Sequence, residues 1–203
     1  MRFILAGLFA SFAANCLGQS PEKATEQYFA ALAESNKEQL VATVFEPSAE
    51  RIGKSIIAAA PMFHRKGETE FLELIFDRVP EPEEIVAMKP VQAFAEYMCD
   101  PLPDDPNDIT NRTVLGVVFE REDLAHVVYR VEGMPNLGET SRDIVTCIHR
   151  DEEWRVVVPS QVWEAYMNYT LQPAMAKLSE GNAEQPHAAG ASVDADSKEK
   201  SSQ

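Results

Sequence analysis

Alternating apolar and polar residues indicate that residues 113–158 form a β-sheet. Three runs rich in valine, isoleucine and threonine follow one another there, with turn-forming residues between them, and the third run contains a hairpin turn at residues 150–153. Successive side chains on a strand point to opposite faces, so each run divides into two faces. The pattern predicts an antiparallel sheet whose strands are neighbours in sequence order.

Both faces of the predicted sheet carry apolar side chains. The first strand divides into two sets, namely Leu115, Val117 and Phe119 on one face and Val114, Gly116 and Val118 on the other. One face should meet the helices that precede the sheet, and the second face needs a cover, which is either another subunit or the C-terminal helix. The residues expected on this second face are Val114, Val118, Val128 and, depending on register, Trp154 or Val157.

The spacing of apolar residues between positions 20 and 99 is that of helices. Ser20 is a suitable N-cap for the first helix, and residues 37–45 form a second that ends before Pro47. A third helix is expected to continue up to Pro61. Residues 68–76 fit either a buried helix or a strand, and their early glutamates favour the helix.

One more helix follows the sheet, beginning at Ser160 and interrupted by Pro173. From residue 179 onward the chain has too few apolar side chains to offset the entropy of ordering, which predicts disorder. The chain therefore divides into a targeting segment at 1–18, a single domain at 19–177 and a disordered polar tail at 178–203. The expected fold class is α+β, with N-terminal helices packed on a twisted antiparallel sheet and a C-terminal helix.

The first 18 residues have the layout of a secretory signal peptide. A positive charge precedes an apolar run at residues 3–14, and the small residues Cys16 and Gly18 predict cleavage after Gly18. The apolar run is shorter than the roughly 20 residues that a membrane span needs. We therefore expect export to the periplasm or the exterior. The alternative is a lipoprotein modified at Cys16, which the preceding Asn15 disfavours.

The formal net charge of −15, from 18 Lys plus Arg and 33 Asp plus Glu, excludes some classes of partner. Nucleic acids and anionic membrane surfaces are polyanions that a chain of this charge repels. The acidity is typical of a soluble, self-repelling protein and identifies no particular partner.

Export would place Cys99 and Cys147 in an oxidising compartment. They either form one disulfide, which would join the end of the helical half to the third strand, or remain two buried thiols. In the chain-entropy model such a disulfide contributes about 4 kcal/mol. The sequence contains no CxxC motif, so the spacing supports neither a redox motif nor a zinc site.

Three passages of the chain resemble one superfamily. Residues 24–32, ATEQYFAAL, lead through a short turn into NKEQL; residues 113–131 suit a long hairpin; and residues 151–157, DEEWRVV, place a charged turn before a tryptophan-containing strand. These passages resemble the nuclear transport factor 2-like superfamily of cone-shaped α+β folds. The resemblance implies a concave sheet face that meets the helices, often around an apolar pocket, and frequent dimers through the other sheet face. It implies no single activity.

Candidate chemistry is sparse. His126 and His149 lie on predicted strands, and either could form an acid–base pair with Asp143 or Asp123; otherwise both are ordinary sheet histidines. The aromatic residues Trp163, Tyr166 and Tyr129 either line a ligand pocket or belong to the core. The aspartate cluster at residues 100–108 suits a solvated loop, and the sequence implies no metal and no cofactor.

Three hypotheses about function remain open at this point. The first is an exported noncatalytic domain that binds a small apolar ligand or a protein partner. The second is an isomerase-like or dehydratase-like enzyme that uses a pocket histidine with a carboxylate. The third is a purely structural homodimer formed through the outer sheet face.

The targeting segment is tested by determining the N-terminus of the exported protein. Expression in a bacterial host should yield periplasmic protein that begins at Gln19, because Gly18 is the expected last residue of the signal peptide. Intact mass spectrometry of the periplasmic and membrane fractions measures this. A lipid-modified Cys16 in the membrane fraction would instead identify a lipoprotein.

Overall fold

The computed structural model describes residues 19–99, 111–132 and 140–183 of the 203-residue chain. The expected signal peptide and the aspartate cluster at residues 100–108 lie outside these ranges. Before the sheet the chain is helical, as the spacing predicts, with α1 at Pro21–Ala33, α2 at Lys37–Thr43, α3 at Glu46–Lys66, α4 at Glu70–Phe76, α5 at Pro82–Ala87 and α6 at Pro90–Cys99. The ambiguous segment at 68–76 is thus a helix.

An antiparallel sheet follows in the order β1-β2-β3-β4. Its strands are β1 at Asn111–Arg121, β2 at Leu124–Glu132, β3 at Thr140–Arg150 and β4 at Glu153–Val157. The C-terminal segment comprises α7 at Ser160–Ala165, a π-helical turn at Tyr166–Leu171 and α8 at Gln172–Ala183. The fold class is therefore α+β, as predicted.

Side-chain caps begin the first two helices. The Ser20 hydroxyl oxygen accepts a hydrogen bond from the Lys23 backbone N–H at 3.3 Å, which confirms the predicted cap. The Asn36 side-chain oxygen accepts one from the Gln39 N–H at 3.0 Å and caps α2. Each cap satisfies a backbone donor that has no partner within its helix.

The predicted end of the third helix at Pro61 is wrong, because α3 continues through Pro61 to Lys66. Proline removes one backbone hydrogen bond and costs roughly 3 kcal/mol in a helix interior. The buried face of α3 extends past the proline as far as Phe63, so burial of that side chain outweighs the local cost. The last residue of the helix is Lys66, and Gly67 caps it with a φ of 71°, the left-handed conformation that glycine tolerates.

The predicted interruption at Pro173 is also wrong. The helix widens into the π turn, in which the Gln172 N–H donates to the Met167 carbonyl five residues earlier, and then continues as α8. α8 runs to Ala183 and buries Leu178, so the ordered domain extends beyond residue 177. The remainder of the predicted tail, residues 184–203, lies outside the described part of the chain.

The hydrophobic core fills the space between the helices and one face of the sheet, which we call the inner face. The inner face buries Ala125 and Val127 of β2, Val145 and Cys147 of β3, and Trp154 and Val156 of β4. Helix α1 packs across all four strands on this side. A second layer forms where α3 packs on α6.

A β-bulge changes the expected division of β1 between the two faces. The register shifts between Val114 and Gly116, so Val114 lies opposite Tyr129 and packs against the core on the inner face. Trp154 is likewise an inner-face residue. The outer face thus keeps Val118, Val128 and Val157 of the predicted set and loses Val114 and Trp154.

The edge of the sheet at β4 is covered by the segment between α2 and α3 and by the first turn of α3. The Phe45 N–H donates to the Val156 carbonyl at 2.7 Å, and the Val158 N–H donates to the Ser48 hydroxyl at 2.9 Å. The other edge strand of the sheet is β1. Backbone groups along β4 are therefore paired on both sides near Val156.

Gly53 tests the contact between α3 and α6. A Cβ at this position would lie 1.8 Å from the Pro90 carbonyl oxygen, so the two helices can meet this closely only with glycine. Gly53→Ala should lower the free energy of unfolding by about 3 kcal/mol or more, despite the higher helix propensity of alanine. Urea unfolding measures the change.

The matched control is Gly116→Ala in β1, where an added Cβ meets nothing within 4 Å. This variant should remain within about 1 kcal/mol of the parent. Equal effects of the two substitutions would contradict the close helix contact.

Candidate functional site

His126 lies on the outer face of the sheet. Its Nε2 is 2.9 Å from Glu120 Oε2, and its Nδ1 is 3.2 Å from the Thr146 hydroxyl. The Glu120 side chain is well exposed. The pair is therefore solvent-facing, and its carboxylate is Glu120 rather than Asp143 or Asp123.

His149 lies on the inner side of the sheet near its end. Its ring centroid is 5.1 Å from that of Trp154, and its backbone N–H donates to the Asp123 carbonyl at 2.9 Å. Asp143 instead accepts a hydrogen bond from the Tyr129 hydroxyl at 3.1 Å. The side-chain partners of His126 are thus Glu120 and Thr146, the Asp143 carboxylate pairs with Tyr129, and the predicted histidine–aspartate side-chain pair does not form among these described residues.

The three predicted pocket aromatics have different surroundings. Tyr166 is fully buried, its ring meets Tyr97 edge-on at 5.2 Å, and its hydroxyl donates to Ser55 at 3.4 Å. Burial raises the pKa of Tyr166 to about 12. The Arg51 guanidinium lies 3.9 Å from the centroid of the Trp163 ring, a cation–π contact. Tyr166 is therefore a core residue, and a cation covers one face of Trp163.

Tyr129 packs between the sheet and α1. Its ring lies 4.7 Å from that of Phe29, and burial, followed by the nearby Asp143 carboxylate, raises the pKa of its hydroxyl. The side chains of Tyr129 and Tyr28 thus fill space at the inner face of the sheet. The concave side that the resemblance associates with a pocket is occupied by core side chains at these positions.

Cys99 and Cys147 are both buried thiols, not joined by a disulfide. The Cys147 sulfur lies 3.3 Å from the Thr25 hydroxyl and 3.7 Å from the Pro21 carbonyl, so it faces the start of α1. Cys99 ends α6. The disulfide alternative is therefore wrong, and the buried-thiol alternative describes both residues. Burial raises the pKa of Cys147 to about 11.

The outer face of the sheet presents an apolar surface to solvent. Val118 on β1 is 60% exposed and Ile144 on β3 is 56% exposed, and the two lie in neighbouring rows on either side of β2. We call this surface the outer-face patch; it comprises Val118, Leu124, Val128, Ile144, Ile148 and Val157, arranged around His126 and Thr146. A contiguous apolar surface of this kind is typical of an interaction site.

Two grooves open on the helical side of the molecule. The larger, of about 520 Å³, lies among α2, α5 and α6, with Val41, Met88 and Ala95 in its walls. The smaller, of about 310 Å³, lies between α4 and the C-terminal segment and includes Phe71, Tyr169 and Thr170. Sequence reasoning missed both grooves, because helix-to-helix packing determines where they open.

Comparison of the chain with protein-family models, with curated proteins and with solved structures finds no match. Across residues 19–99, 111–132 and 140–183, no group of three or more His, Cys, Asp or Glu side chains is arranged to hold a metal ion. None of the helices within these ranges combines the length and apolarity needed to cross a bilayer.

Alkylation tests the state of the two cysteines. Iodoacetamide at pH 8 should leave Cys147 unmodified in the folded protein, since the side chain is buried and its pKa is raised to about 11. Unfolding without a reductant should make both Cys99 and Cys147 reactive. Peptide mapping by mass spectrometry separates them from Cys16, and a linked Cys99–Cys147 peptide would contradict the prediction.

Proposed function

We propose that this chain is an exported, noncatalytic domain that acts through association at its outer-face patch, with a second copy of the chain as the occupant. The observation that carries the proposal is the exposure of two apolar side chains on one face of the sheet, Val118 on the edge strand β1 and Ile144 on the interior strand β3. Burial of apolar surface is the principal driving force for protein association. The export part of the proposal rests on the pattern of residues 1–18.

The registers of the strands place the side chains of the patch in neighbouring rows. Val118 aligns with His126, Thr146 and Val157 in one row across the sheet, and Val128 aligns with Ile144 in the next. Side chains on one face of adjacent strands lie close enough to pack together. A partner sheet, about 10 Å away as in sheet-on-sheet packing, would therefore meet apolar side chains around the polar His126 and Thr146.

The C-terminal helix is engaged elsewhere in the fold. Tyr166 contacts Tyr97 on α6, Trp163 lies under Arg51 of α3, and Lys177 pairs with Glu70 at the start of α4. Of the two covers that the sequence leaves open, the geometry therefore favours another subunit.

The composition of the remaining C-terminal sequence makes it a poor cover for the outer-face patch. Residues 184–203 contain one aliphatic side chain larger than alanine, Val193. Such a segment has little apolar surface to bury against valine and isoleucine. A second copy, by contrast, brings an identical apolar patch, and a two-fold axis brings like surfaces together.

The proposal includes the cone-type fold of the nuclear transport factor 2-like superfamily. Helices that precede an antiparallel meander, and a last strand that carries Trp154, support this relationship. The helical stretch from α3 to α6 is longer than a compact member needs, and the inner face is filled by residues such as Tyr28 and Val127. These features favour association over ligand binding at the concave face.

The enzyme hypothesis receives less support from the same geometry. His126 and Glu120 form a hydrogen-bonded pair, but they lie on the open outer face rather than in an enclosed pocket. Water competes for both groups there, and an exposed pair lacks the desolvation that strengthens catalytic electrostatics. The pair instead supplies polar groups within the proposed interface.

The association is tested with Val118→Glu, which places a charge at the most exposed valine of the patch. Desolvating an unpaired carboxylate is costly, so the dissociation constant of the dimer should rise about tenfold or more. Sedimentation equilibrium of the full chain over a concentration series at physiological salt measures it, since salt screens the repulsion between two copies of charge −15.

The matched control is Val86→Glu, because Val86 is 64% exposed on α5 and lies outside the sheet. Its dissociation constant should equal that of the parent. A parent chain that stays monomeric throughout the series, or equal effects of the two substitutions, would show that the outer-face patch does not join two copies.

A further inference from the structure

One residue that lines the groove between α4 and the C-terminal segment has a buried hydroxyl group without a hydrogen-bond partner. Thr170 is 2% exposed, and its Oγ1 has no partner among the described residues. Buried polar groups are nearly always hydrogen-bonded, so an unpartnered one marks a position where a further group is expected. We call this site the Thr170 groove.

Other buried threonines of this chain satisfy their hydroxyl groups within their own helices. The Thr25 hydroxyl donates to the Pro21 carbonyl at 2.8 Å, and the Thr43 hydroxyl donates to the Leu40 carbonyl at 3.1 Å. Thr170 belongs to the π turn, in which the backbone spacing differs from that of an α-helix. Its hydroxyl therefore lacks the acceptor that the other two threonines find in their helices, and π turns recur at functional sites.

The walls of the Thr170 groove are mainly aromatic and aliphatic. Phe63 and Phe71 lie in its wall and stack on each other with centroids 4.2 Å apart and an interplanar angle of 18°. Tyr169 also lines the groove and is 78% exposed, so its ring can contact a bound molecule without unpacking the core. Flat apolar molecules suit such surfaces.

Three charged groups line the groove, and two of them pair with each other. Glu70 and Lys177, from opposite walls, form an ion pair beside the groove. The third, the Glu68 carboxylate, gives the lining a net negative charge, which favours an uncharged ligand over an anionic one. The Thr170 hydroxyl is the buried polar group of this lining that has no partner among the described residues, so it can fix the orientation of a ligand.

The larger groove among α2, α5 and α6 differs in this respect. Its polar lining includes Lys37, which pairs with Glu96, and Glu84, which pairs with Arg78. A ligand there would compete with existing ion pairs, and within the described ranges no unpartnered buried polar group lines that groove. The Thr170 groove therefore carries the stronger indication of a ligand.

We propose that the Thr170 groove binds a small, uncharged molecule with a flat apolar body and a single hydrogen-bonding group, which pairs with the Thr170 hydroxyl. The volume of about 310 Å³ is at the small end of the range for ligand sites and suits a body of one or two rings. This site is separate from the outer-face patch and does not depend on association through it.

The test compares 2-naphthol, which has two fused rings and one hydroxyl, with naphthalene, which lacks the hydroxyl. Each is titrated into the full chain and followed by shifts of backbone amide signals in NMR spectra. We expect 2-naphthol to shift signals from α4 and the π turn, and to bind about tenfold more tightly than naphthalene, the size expected for one hydrogen bond.

Two variants separate the hydrogen bond from the apolar contact. Thr170→Val keeps the shape and removes the hydroxyl, so it should abolish the preference for 2-naphthol while leaving naphthalene binding unchanged. Its thermal stability should equal or exceed that of the parent, because an unpartnered buried hydroxyl is replaced by a methyl group. Tyr169→Ala should weaken both compounds without loss of folding, since this ring is exposed.

The proposal is overturned if 2-naphthol causes no shifts, if the shifts lie outside α4 and the C-terminal segment, or if Thr170→Val retains the preference. Val118→Glu serves as the control for independence and should bind 2-naphthol as the parent does. A monomeric chain that still binds 2-naphthol would refute the dimer while supporting the groove.

Discussion

The packing of α1 across the inner face of the sheet is the contact on which the rest of the structure depends. Ala24 and Ala31 are small enough to let the helix lie close to the strands, and Tyr28 fills the space between them. The contact extends to Cys147, whose sulfur meets the Thr25 hydroxyl. Because this packing fills the inner face, the candidate pocket residue Tyr129 is structural, and any binding surface lies elsewhere.

One layer of helices covers one face of a sheet, and here that layer includes the helices before the strands. The C-terminal segment joins the same helical side, through Tyr166 against Tyr97 and Trp163 beneath Arg51. Val118 and Ile144 consequently stay exposed on the opposite face. Monomeric proteins seldom keep a contiguous apolar surface on a regular sheet, so the one-sided arrangement of helices is itself an argument for association.

Local patterns in the sequence predict the elements of this fold well, and fail where tertiary packing decides. The cap at Ser20 and the alternation in β2 and β3 depend on neighbouring residues, and both are confirmed. The register shift between Val114 and Gly116 reverses the alternation of β1, so counting alternate residues places Val114 on the wrong face; the glycine within the strand is the sequence feature that marks such a bulge. A disulfide between Cys99 and Cys147 would require the end of α6 to lie beside β3. The spacing of cysteines in the sequence does not show how these two elements lie relative to each other.

Pro173 explains why the sequence did not indicate the unpartnered hydroxyl of Thr170. Proline lacks the N–H that a continuing helix would use, and its ring crowds the carbonyl four residues earlier. The chain accommodates it with a π turn just before the proline, which allows α8 to continue and to bury Leu178. Thr170 lies in that turn, and its hydroxyl lacks the helical acceptor that Thr25 and Thr43 have. The residue that appears to end a helix in the sequence thus accounts for an open hydrogen-bonding position beside an aromatic groove.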